Sequence, residues 1–121
     1  MKRILIVDDS PMNLRSIKSM IDKEYEVLVA LSGMQALQTL KGEAVDLILM
    51  DYEMPEMNGT ETVEKIRLNE EIKDIPVVFL TGVNKTEQVS SALKLNPKGY
   101  LLKPVQRERL LSTIEEVLKE E

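Results

Sequence analysis

The hydrophobic residues of the chain alternate between two patterns. Short apolar runs, three of them apolar almost throughout, are typical of strands that are covered on both faces. They predict five strands, at Ile4–Val7, Val27–Ala30, Val45–Met50, Val77–Leu80 and Gly99–Leu102. The segments between these runs repeat apolar residues at helical spacing, as amphipathic helices do.

The predicted helices differ in how continuous their apolar stripes are. In the first helix Leu14, Ile17 and Ile21 share one face, with Ser10 as the N-cap and Pro11 at the first helical position. The other stripes are Leu37 and Leu40 in the second helix, Val63 and Ile66 in the third, and Leu110, Leu111, Ile114, Val117 and Leu118 in the last. A fourth helix within Lys85–Leu95 has a thin stripe diluted by serines, so we expect it to be the least firmly held.

Strand–helix alternation repeated five times predicts an α/β domain around a parallel sheet. The length of 121 residues and the hydrophobic content of 43% suit one folded domain over residues 1–121, without a linker.

The net charge of -5 and the aromatic content of 3% argue against a free-standing nucleic-acid-binding domain. No apolar run approaches the roughly 18 residues of a membrane span, and no secretory signal is recognisable. We therefore expect a cytoplasmic protein.

The missing residue types restrict the chemistry. The sequence has neither cysteine nor histidine, which excludes disulfides, thiolate and histidine metal sites, Ser-His triads and histidine acid–base catalysis. Any chemistry must therefore use carboxylates, hydroxyls, lysines and backbone groups.

Polar groups follow four of the five predicted strands. Asp8 and Asp9 follow the first strand, Asp51 the third, Thr81 the fourth and Lys103 the fifth. In an open parallel sheet the carboxyl ends of the strands share one edge, and ligands bind there. If these strands are neighbours, three carboxylates, a hydroxyl and an ammonium group converge on one crevice.

Each of these residues alone also has an ordinary structural interpretation. An acidic pair before Ser-Pro is typical of a turn and helix cap, Asp51 could be a turn residue, Thr81 a strand-end hydroxyl and Lys103 a solvated lysine. The structural interpretation does not explain why all four strand ends carry such complementary groups. Two unit charges about 4 Å apart interact by roughly 4 kcal/mol at an effective dielectric constant of 20. Three clustered carboxylates would therefore repel one another, and some would take up protons unless a cation lies among them.

The charges of this cluster indicate which cation fits. Three carboxylates and the Lys103 ammonium group leave a net charge that one divalent ion would neutralise. Ligation by oxygen alone favours Mg²⁺, which pairs naturally with a phosphoryl group. We expect that Mn²⁺ can substitute for it.

The motifs around these residues resemble those of the receiver domains of two-component response regulators, the chemotaxis (CheY-like) type. The matching segments are "ILIVDDS", "DLILMDYEMPEMNG", "PVVFLTG" and "GYLLKP". Their separations match as well, since Thr81 lies 30 positions after Asp51 and Lys103 lies 22 positions after Thr81. The resemblance covers the whole chain and implies a doubly wound, flavodoxin-like (βα)5 fold with strand order 2-1-3-4-5.

The resemblance assigns roles to the residues of the cluster. Asp51 corresponds to the phosphoacceptor, which takes a phosphoryl group from a phosphohistidine of a sensor histidine kinase or histidine phosphotransfer protein. Asp9 and Asp51 correspond to direct Mg²⁺ ligands, Asp8 to a ligand through water, and Glu53 to a ligand through its backbone carbonyl. Lys103, preceding a cis proline bond, would align and neutralise phosphoryl oxygens. The resemblance implies a signalling phosphoacceptor rather than an enzyme, with self-phosphorylation and autodephosphorylation only.

The resemblance also implies a switch. Thr81 corresponds to the hydroxyl that moves to bond the phosphoryl group, and Tyr100 to the aromatic ring that then turns inward. Gly82 is small where a larger side chain would crowd the phosphoryl site. The surface altered by the switch would be the fourth helix, fifth strand and fifth helix, and this face would bind a downstream effector or a second copy of the chain.

Two positions depart from common choices of the family. Glu53 and Val83 flank the entrance for attacking water, and Glu53 brings a negative charge there, although it could equally be a solvated loop acid. We expect Glu53 to modulate the lifetime of the phosphorylated state. 

Two other classes of protein remain open as alternatives. Phosphatases of the haloacid-dehalogenase type need a second aspartate two positions after the nucleophile, whereas the acids here are adjacent. A flavodoxin-like cofactor carrier needs a first loop rich in Ser, Thr and Gly, whereas "DDSPMN" would repel a flavin phosphate.

Overall fold

The computed structural model describes residues 1–55, 57–82 and 93–119. They form a single parallel sheet with helices on both faces. The strands are β1 (Arg3–Val7), β2 (Glu26–Ala30), β3 (Leu47–Asp51), β4 (Val77–Thr81) and β5 (Gly99–Leu102). The helices are α1 (Pro11–Ile21), α2 (Gly33–Gly42), α3 (Gly59–Arg67) and the C-terminal helix (Arg107–Lys119).

The sheet has the strand order β2-β1-β3-β4-β5, and every neighbouring pair is parallel. The predicted fold class and strand order are thereby confirmed. The order reverses between β1 and β3, which is the point at which open α/β sheets bind ligands, at the carboxyl ends of the strands. The predicted fourth helix, Lys85–Leu95, lies largely outside the described residues, as does Val83.

Alternate residues of each central strand enter two separate hydrophobic cores, because successive side chains of a strand point to opposite faces. In β1, Leu5 and Val7 pack into the core under α2 and α3. Ile4 and Ile6 pack into the core under α1 and the C-terminal helix. The central strands are therefore apolar on both faces, which explains the continuous apolar runs in the sequence.

Two predicted strand boundaries at the carboxyl ends were wrong by one residue, and both errors matter for the site. Asp51 and Thr81 are the last residues of β3 and β4 rather than the first residues after them. Both are paired in the sheet, Asp51 opposite Leu80 and Thr81 opposite Leu102. Their backbones are consequently fixed by strand hydrogen bonds.

The start of β3 was also predicted wrongly, since the strand begins at Leu47 instead of Val45. Val45 is buried, but the pairing with β1 starts only at Leu47. The carboxylate of Asp46 accepts a hydrogen bond from the backbone N–H of Arg3 at 2.8 Å. A side chain thus satisfies a backbone donor at this end of the sheet.

Among the described residues, no helix is both long and apolar enough to cross a membrane.

Candidate functional site

The polar residues predicted at the strand ends lie together at the carboxyl edge of the sheet. Asp8 follows β1 and its N–H still donates to the Ala30 carbonyl at 3.1 Å. Lys103 follows β5 and its N–H donates to the Thr81 carbonyl at 2.7 Å. Since these backbones continue the strands, the positions of Asp8, Asp51 and Lys103 are set by the sheet itself.

Lys103 joins the two buried acids. Its Nζ donates to Oδ1 of Asp51 at 2.8 Å and to Oδ2 of Asp8 at 3.1 Å. Asp8 is only 1% exposed and Asp51 2%. The Lys103-Pro104 peptide bond is cis, as the resemblance implies. Residues that are 95 and 52 positions apart in the sequence thus form one ion cluster.

Two further groups orient Asp8. The backbone N–H of Ser10 donates to Oδ1 at 2.9 Å, and Nδ2 of Asn13 donates to Oδ2 at 3.4 Å. Ser10 also caps α1, with its Oγ accepting from the N–H of Asn13. The predicted N-cap is confirmed, whereas the contact of Asn13 with Asp8 was not predicted. The only signal for it was the placement of Asn13 in the first turn of a helix that starts beside the acidic pair.

Burial and charge shift the pKa values of this cluster. Burial, with a contribution from the charge of Asp8, raises the pKa of Asp51 to about 6, although Lys103 opposes the shift. Burial disfavours the charged form of Lys103, but its hydrogen bonds and proximity to Asp51 and Asp8 outweigh this and raise its pKa. At neutral pH, Asp51 is therefore mostly ionised and Lys103 is charged.

The acidic cluster fits a divalent cation. Asp8, Asp9 and Asp51 each offer a carboxylate oxygen, and these oxygens lie within 4.8 Å of one another. Asp9 is exposed, so the cluster opens to solvent on one side. Carboxylate oxygens with no nitrogen or sulfur donor among them favour Mg²⁺, and a single ammonium group cannot balance three carboxylates. The donor set and the excess of negative charge both fit the predicted metal.

Glu53 has a role in the structure that the sequence did not reveal. The residue is exposed, yet Oε1 of its carboxylate accepts hydrogen bonds from the Thr81 hydroxyl and, at 3.2 Å, from the Gly82 N–H. The interpretation of Glu53 as a merely solvated loop acid was therefore wrong. Hydrophobic periodicity contains no signal for a contact of this kind between a loop residue and the end of a neighbouring strand.

Three aromatic rings form a row beside the site. The Phe79 ring lies 6.1 Å from that of Tyr52 and 6.5 Å from that of Tyr100, measured between ring centroids. Tyr100 is half-buried and packs against the core under α2 and α3. Its position on β5, in register with Phe79, places it next to the strand that ends in Thr81. The switching role of Tyr100 stays a prediction.

Two glycines near the site, Gly59 and Gly82, differ in their surroundings. A Cβ on Gly59 would lie 2.4 Å from the backbone oxygen of Asp51, so this position requires glycine on steric grounds. A Cβ on Gly82 would meet no atom within 4 Å among the described residues, and the prediction that a larger side chain there crowds a phosphoryl group stays a prediction.

Asn58 is the N-cap of α3 and forms a capping box, exchanging hydrogen bonds with Glu61. The loop after Asp51 is thus held tightly at its far end.

Comparison with known proteins identifies the family. Residues 4–115 match the response regulator receiver domain family. The chain is 40% identical over 102 residues to a probable cyclic di-GMP phosphodiesterase of Vibrio cholerae, covering 84% of this chain and 23% of that protein's length. It is 35% identical over 119 residues to a chemotaxis protein CheY homolog of Campylobacter jejuni, covering 96% of this chain and 92% of the relative.

A solved structure supports the same assignment. The CheY-like receiver domain protein from Methanospirillum hungatei is 34% identical and superposes with a TM-score of 0.92, covering 99% of this chain and 95% of the other. The chain therefore belongs to the response regulator receiver domain family, of the CheY type, whose members are signalling phosphoacceptors of two-component systems.

Proposed function

We propose that this protein accepts a phosphoryl group on the carboxylate of Asp51 from a phosphohistidine of a sensor histidine kinase or histidine phosphotransfer protein. The P–N bond of the donor breaks, a P–O bond to Asp51 forms, and the donor imidazole takes up a proton as it leaves. The observation that carries this proposal is the pairing of a buried, strand-anchored Asp51 with the Lys103 ammonium group at 2.8 Å. Phosphoryl transfer depends mainly on such positioning and charge neutralisation.

The pKa of about 6 supports Asp51 as the nucleophile, because its carboxylate is ionised at neutral pH and hence able to attack phosphorus. Lys103 holds one oxygen of that carboxylate in place and would neutralise a transferred phosphoryl oxygen. Asp8, fixed by Ser10 and Asn13, in turn keeps Lys103 oriented. These contacts support a site that is ordered before the donor arrives.

The metal proposed for this site is Mg²⁺, with Mn²⁺ as a substitute. Asp9 and Asp51 would hold it directly, Asp8 through water, and Glu53 through its backbone carbonyl. When bound, Mg²⁺ would neutralise phosphoryl oxygens and align the donor with Asp51. Added Mg²⁺ should raise the melting temperature of the wild-type protein. At a concentration of 100 times its Kd, the ion should add about 2.7 kcal/mol to the free energy of unfolding. Asp9→Asn should reduce that shift, and an equal shift in both proteins would contradict the ligand assignment.

The proposed output is a switch in the conformation of the protein. The Thr81 hydroxyl would bond a phosphoryl oxygen, and the Tyr100 ring would turn inward. The face that includes β5 and the C-terminal helix would then bind a downstream effector or a second copy of the chain. Titration of a candidate partner with the unmodified and modified protein checks this. Equal affinity for both forms would contradict it.

The transfer itself is tested with acetyl phosphate, with and without Mg²⁺, followed by peptide mass analysis. We expect a phosphoryl group on Asp51 only when Mg²⁺ is present, and none in Asp51→Asn. Asp46→Asn removes a carboxylate at the opposite end of the sheet and should be labelled like the wild type. A wild-type protein that stays unlabelled with every donor, or is labelled elsewhere, would refute the proposal.

We also propose that Glu53 modulates the lifetime of the phosphorylated state, because the family resemblance assigns its position to the entrance for attacking water. The dephosphorylation rate of Glu53→Asn, measured after removal of the donor, tests this. An unchanged rate would eliminate the hypothesis.

A further inference from the structure

The loop after β3 places an acid on two hydrogen-bond donors at the carboxyl end of β4, one from its last residue and one from the residue that follows it. A single oxygen of Glu53, Oε1, accepts both the Thr81 hydroxyl and the Gly82 N–H, the latter at 3.2 Å. Thr81 is fully buried, so its hydroxyl is directed to this oxygen from inside the protein. A hydroxyl and an adjacent backbone N–H converging on one oxygen make a small anion-binding site. In the unmodified protein, the chain's own carboxylate fills it.

Carboxylate and phosphoryl oxygens are equivalent acceptors for such donors, since both are anionic and form charge-assisted hydrogen bonds. The Thr81 hydroxyl has one proton and can donate it to only one acceptor at a time. The bond to Glu53 and a bond to a phosphoryl oxygen on Asp51 are therefore mutually exclusive.

Charge adds to this exclusion. A phosphorylated side chain carries roughly -1.5 to -2 charges at neutral pH. Glu53 is only two positions after Asp51 and its carboxylate lies on the same edge of the sheet, beside the residue that ends the neighbouring strand. Like charges so close repel one another. A phosphoryl group on Asp51 would thus both compete with Glu53 for Thr81 and push its carboxylate away.

We infer that Glu53 is a positioning residue that acts as an internal latch, holding the Thr81 hydroxyl and the Gly82 N–H in the unmodified protein and leaving when Asp51 is modified. This inference rests on the proposed function of Asp51. It differs from an effect on phosphate lifetime because it concerns the equilibrium before any water attacks. The latch opposes modification, so its removal strengthens binding of a phosphoryl group or its analogue.

The experiment is a calorimetric titration of the Mg²⁺-loaded protein with beryllium fluoride, a phosphoryl analogue that binds carboxylates. We expect Glu53→Ala to bind it at least about tenfold more tightly than the wild type, because this variant lacks a charge-assisted hydrogen bond that must break when the analogue binds. Glu53→Asp keeps the charge but shortens the side chain, and should approach the affinity of Glu53→Ala if the contact matters most. Glu64→Ala removes the same charge from the exposed side of α3 and should resemble the wild type.

Amide hydrogen exchange of Gly82 in the unmodified protein gives a second measurement. The Gly82 N–H should exchange faster in Glu53→Ala than in the wild type and Glu64→Ala. A merely structural role for Glu53 would weaken analogue binding, because a disordered loop would present its backbone carbonyl less well to the proposed Mg²⁺. Tighter binding together with faster exchange is thus specific to the latch.

The outcomes separate the latch from the proposed function. If the wild type binds the analogue through Asp51 and Glu53→Ala binds it equally or more weakly, the latch is refuted and the phosphoacceptor role stands. If Glu53→Asp binds like the wild type while Glu53→Ala binds more tightly, charge repulsion acts without the contact, which also refutes the latch. If the wild type does not bind, or Asp51→Asn binds equally well, the proposed function fails and the latch fails with it.

Discussion

Each end of the sheet holds a partly buried cation, and the two cations are satisfied in different ways. At the carboxyl ends of the strands, Lys103 bonds the carboxylates of Asp51 and Asp8. At the opposite end, Arg67 closes α3 and donates to the backbone carbonyls of Lys73 at 2.7 Å, Ile75 at 2.8 Å and Leu95 at 3.3 Å. Lys103 therefore contacts charged carboxylates, whereas Arg67 contacts neutral carbonyl oxygens.

The pKa values of the two cations move in opposite directions as a result. Burial lowers the pKa of Arg67, with only a partial opposing effect from Asp74. The pKa of Lys103 is raised despite burial, because Asp51 and Asp8 favour its charged form. The three carbonyl groups bound by Arg67 bring no excess negative charge, and these hydrogen bonds contribute to stability. The Lys103 cluster has an excess of negative charge, which destabilises the metal-free protein but creates a site for a cation and a phosphoryl group.

Neutralising Asp51 should have the largest effect on stability. The folded protein raises the pKa of Asp51 from 3.8 to about 6, so ionisation of Asp51 costs stability as the pH rises through this interval. The full cost, about 3 kcal/mol, is present from about pH 7 upward, most of it is lost by about pH 4, and it is absent below about pH 3. Asp51→Asn should therefore be more stable than the metal-free wild type by about this amount at pH 8, and similar at pH 4. Urea unfolding at the two pH values measures the difference.

The matched control is Asp46→Asn at the other end of the sheet. Asp46 accepts the backbone N–H of Arg3 at 2.8 Å, so removing its charge should bring no gain in stability. A gain at pH 8 in this variant as well, or none in Asp51→Asn, would contradict the view that only the carboxyl edge is electrostatically unbalanced.

The next largest effect is expected from Gly59→Ala. The added Cβ would lie 2.4 Å from the backbone oxygen of Asp51 and 3.0 Å from the Cα of Tyr52, so the end of β3 must shift. Overpacking of this kind costs roughly 2–3 kcal/mol, and the shift should also slow labelling by acetyl phosphate. Gly42→Ala is the control, because a Cβ there would meet nothing within 4 Å of the described residues. Equal stabilities of the two variants would show that the end of β3 tolerates displacement.

Arg67→Met tests the hydrogen bonds of Arg67 at the opposite end. Three carbonyls lose a charged donor, and the free energy of unfolding should fall by about 2 kcal/mol. Labelling of Asp51 should be unchanged once the variant is folded, since Arg67 lies at the other end of the sheet. Arg107→Met, at an exposed arginine, is the control for loss of charge. Slower labelling of Arg67→Met in conditions where it is fully folded would indicate coupling between the two ends.

The apolar runs predicted the parallel sheet and the convergence of polar groups at its carboxyl edge for the same physical reason, whereas the strand order came from the family resemblance. Central strands of a parallel sheet are buried on both faces, so their apolar runs are continuous and end abruptly at Asp8, Asp51 and Thr81. The pairing of Lys103 with Asp51 followed because carboxyl ends of parallel strands share one edge. The start and end of β3, at Val45 and Asp51, were predicted wrongly because backbone hydrogen bonding sets the ends of a strand, and hydrophobicity does not encode it.

The hydrophobic pattern could not predict the side-chain contacts of the site. That Glu53 would bond Thr81, or Asn13 would bond Asp8, depends on the direction of polar side chains, and each contact joins a loop residue to the end of a strand or helix. The necessity of Gly59 depends on a backbone approach of 2.4 Å, which only the folded chain defines. Such contacts are set by tertiary geometry, and at this edge of the sheet they determine how the acidic residues are oriented.

The smallest effect should come from Ser10→Ala, and it separates stability from function within the site itself. The Ser10 hydroxyl caps α1 by accepting the N–H of Asn13 at 3.3 Å, so its loss should cost about 1 kcal/mol. The bond that orients Asp8 comes from the backbone N–H of residue 10, which alanine retains. Thermal unfolding should consequently show the loss, while the labelling rate of Asp51 stays at the wild-type value.

Ser32→Ala is the counterpart away from the acidic cluster. The Ser32 hydroxyl caps α2 through the N–H of Gln35 at 3.1 Å, and its removal should cost a similar amount of stability. If Ser10→Ala slows labelling and Ser32→Ala does not, the cap of α1 contributes to the orientation of Asp8, and the backbone bond alone is insufficient. If both variants are labelled normally, the orientation of Asp8 depends on backbone geometry that the sheet and the start of α1 provide together.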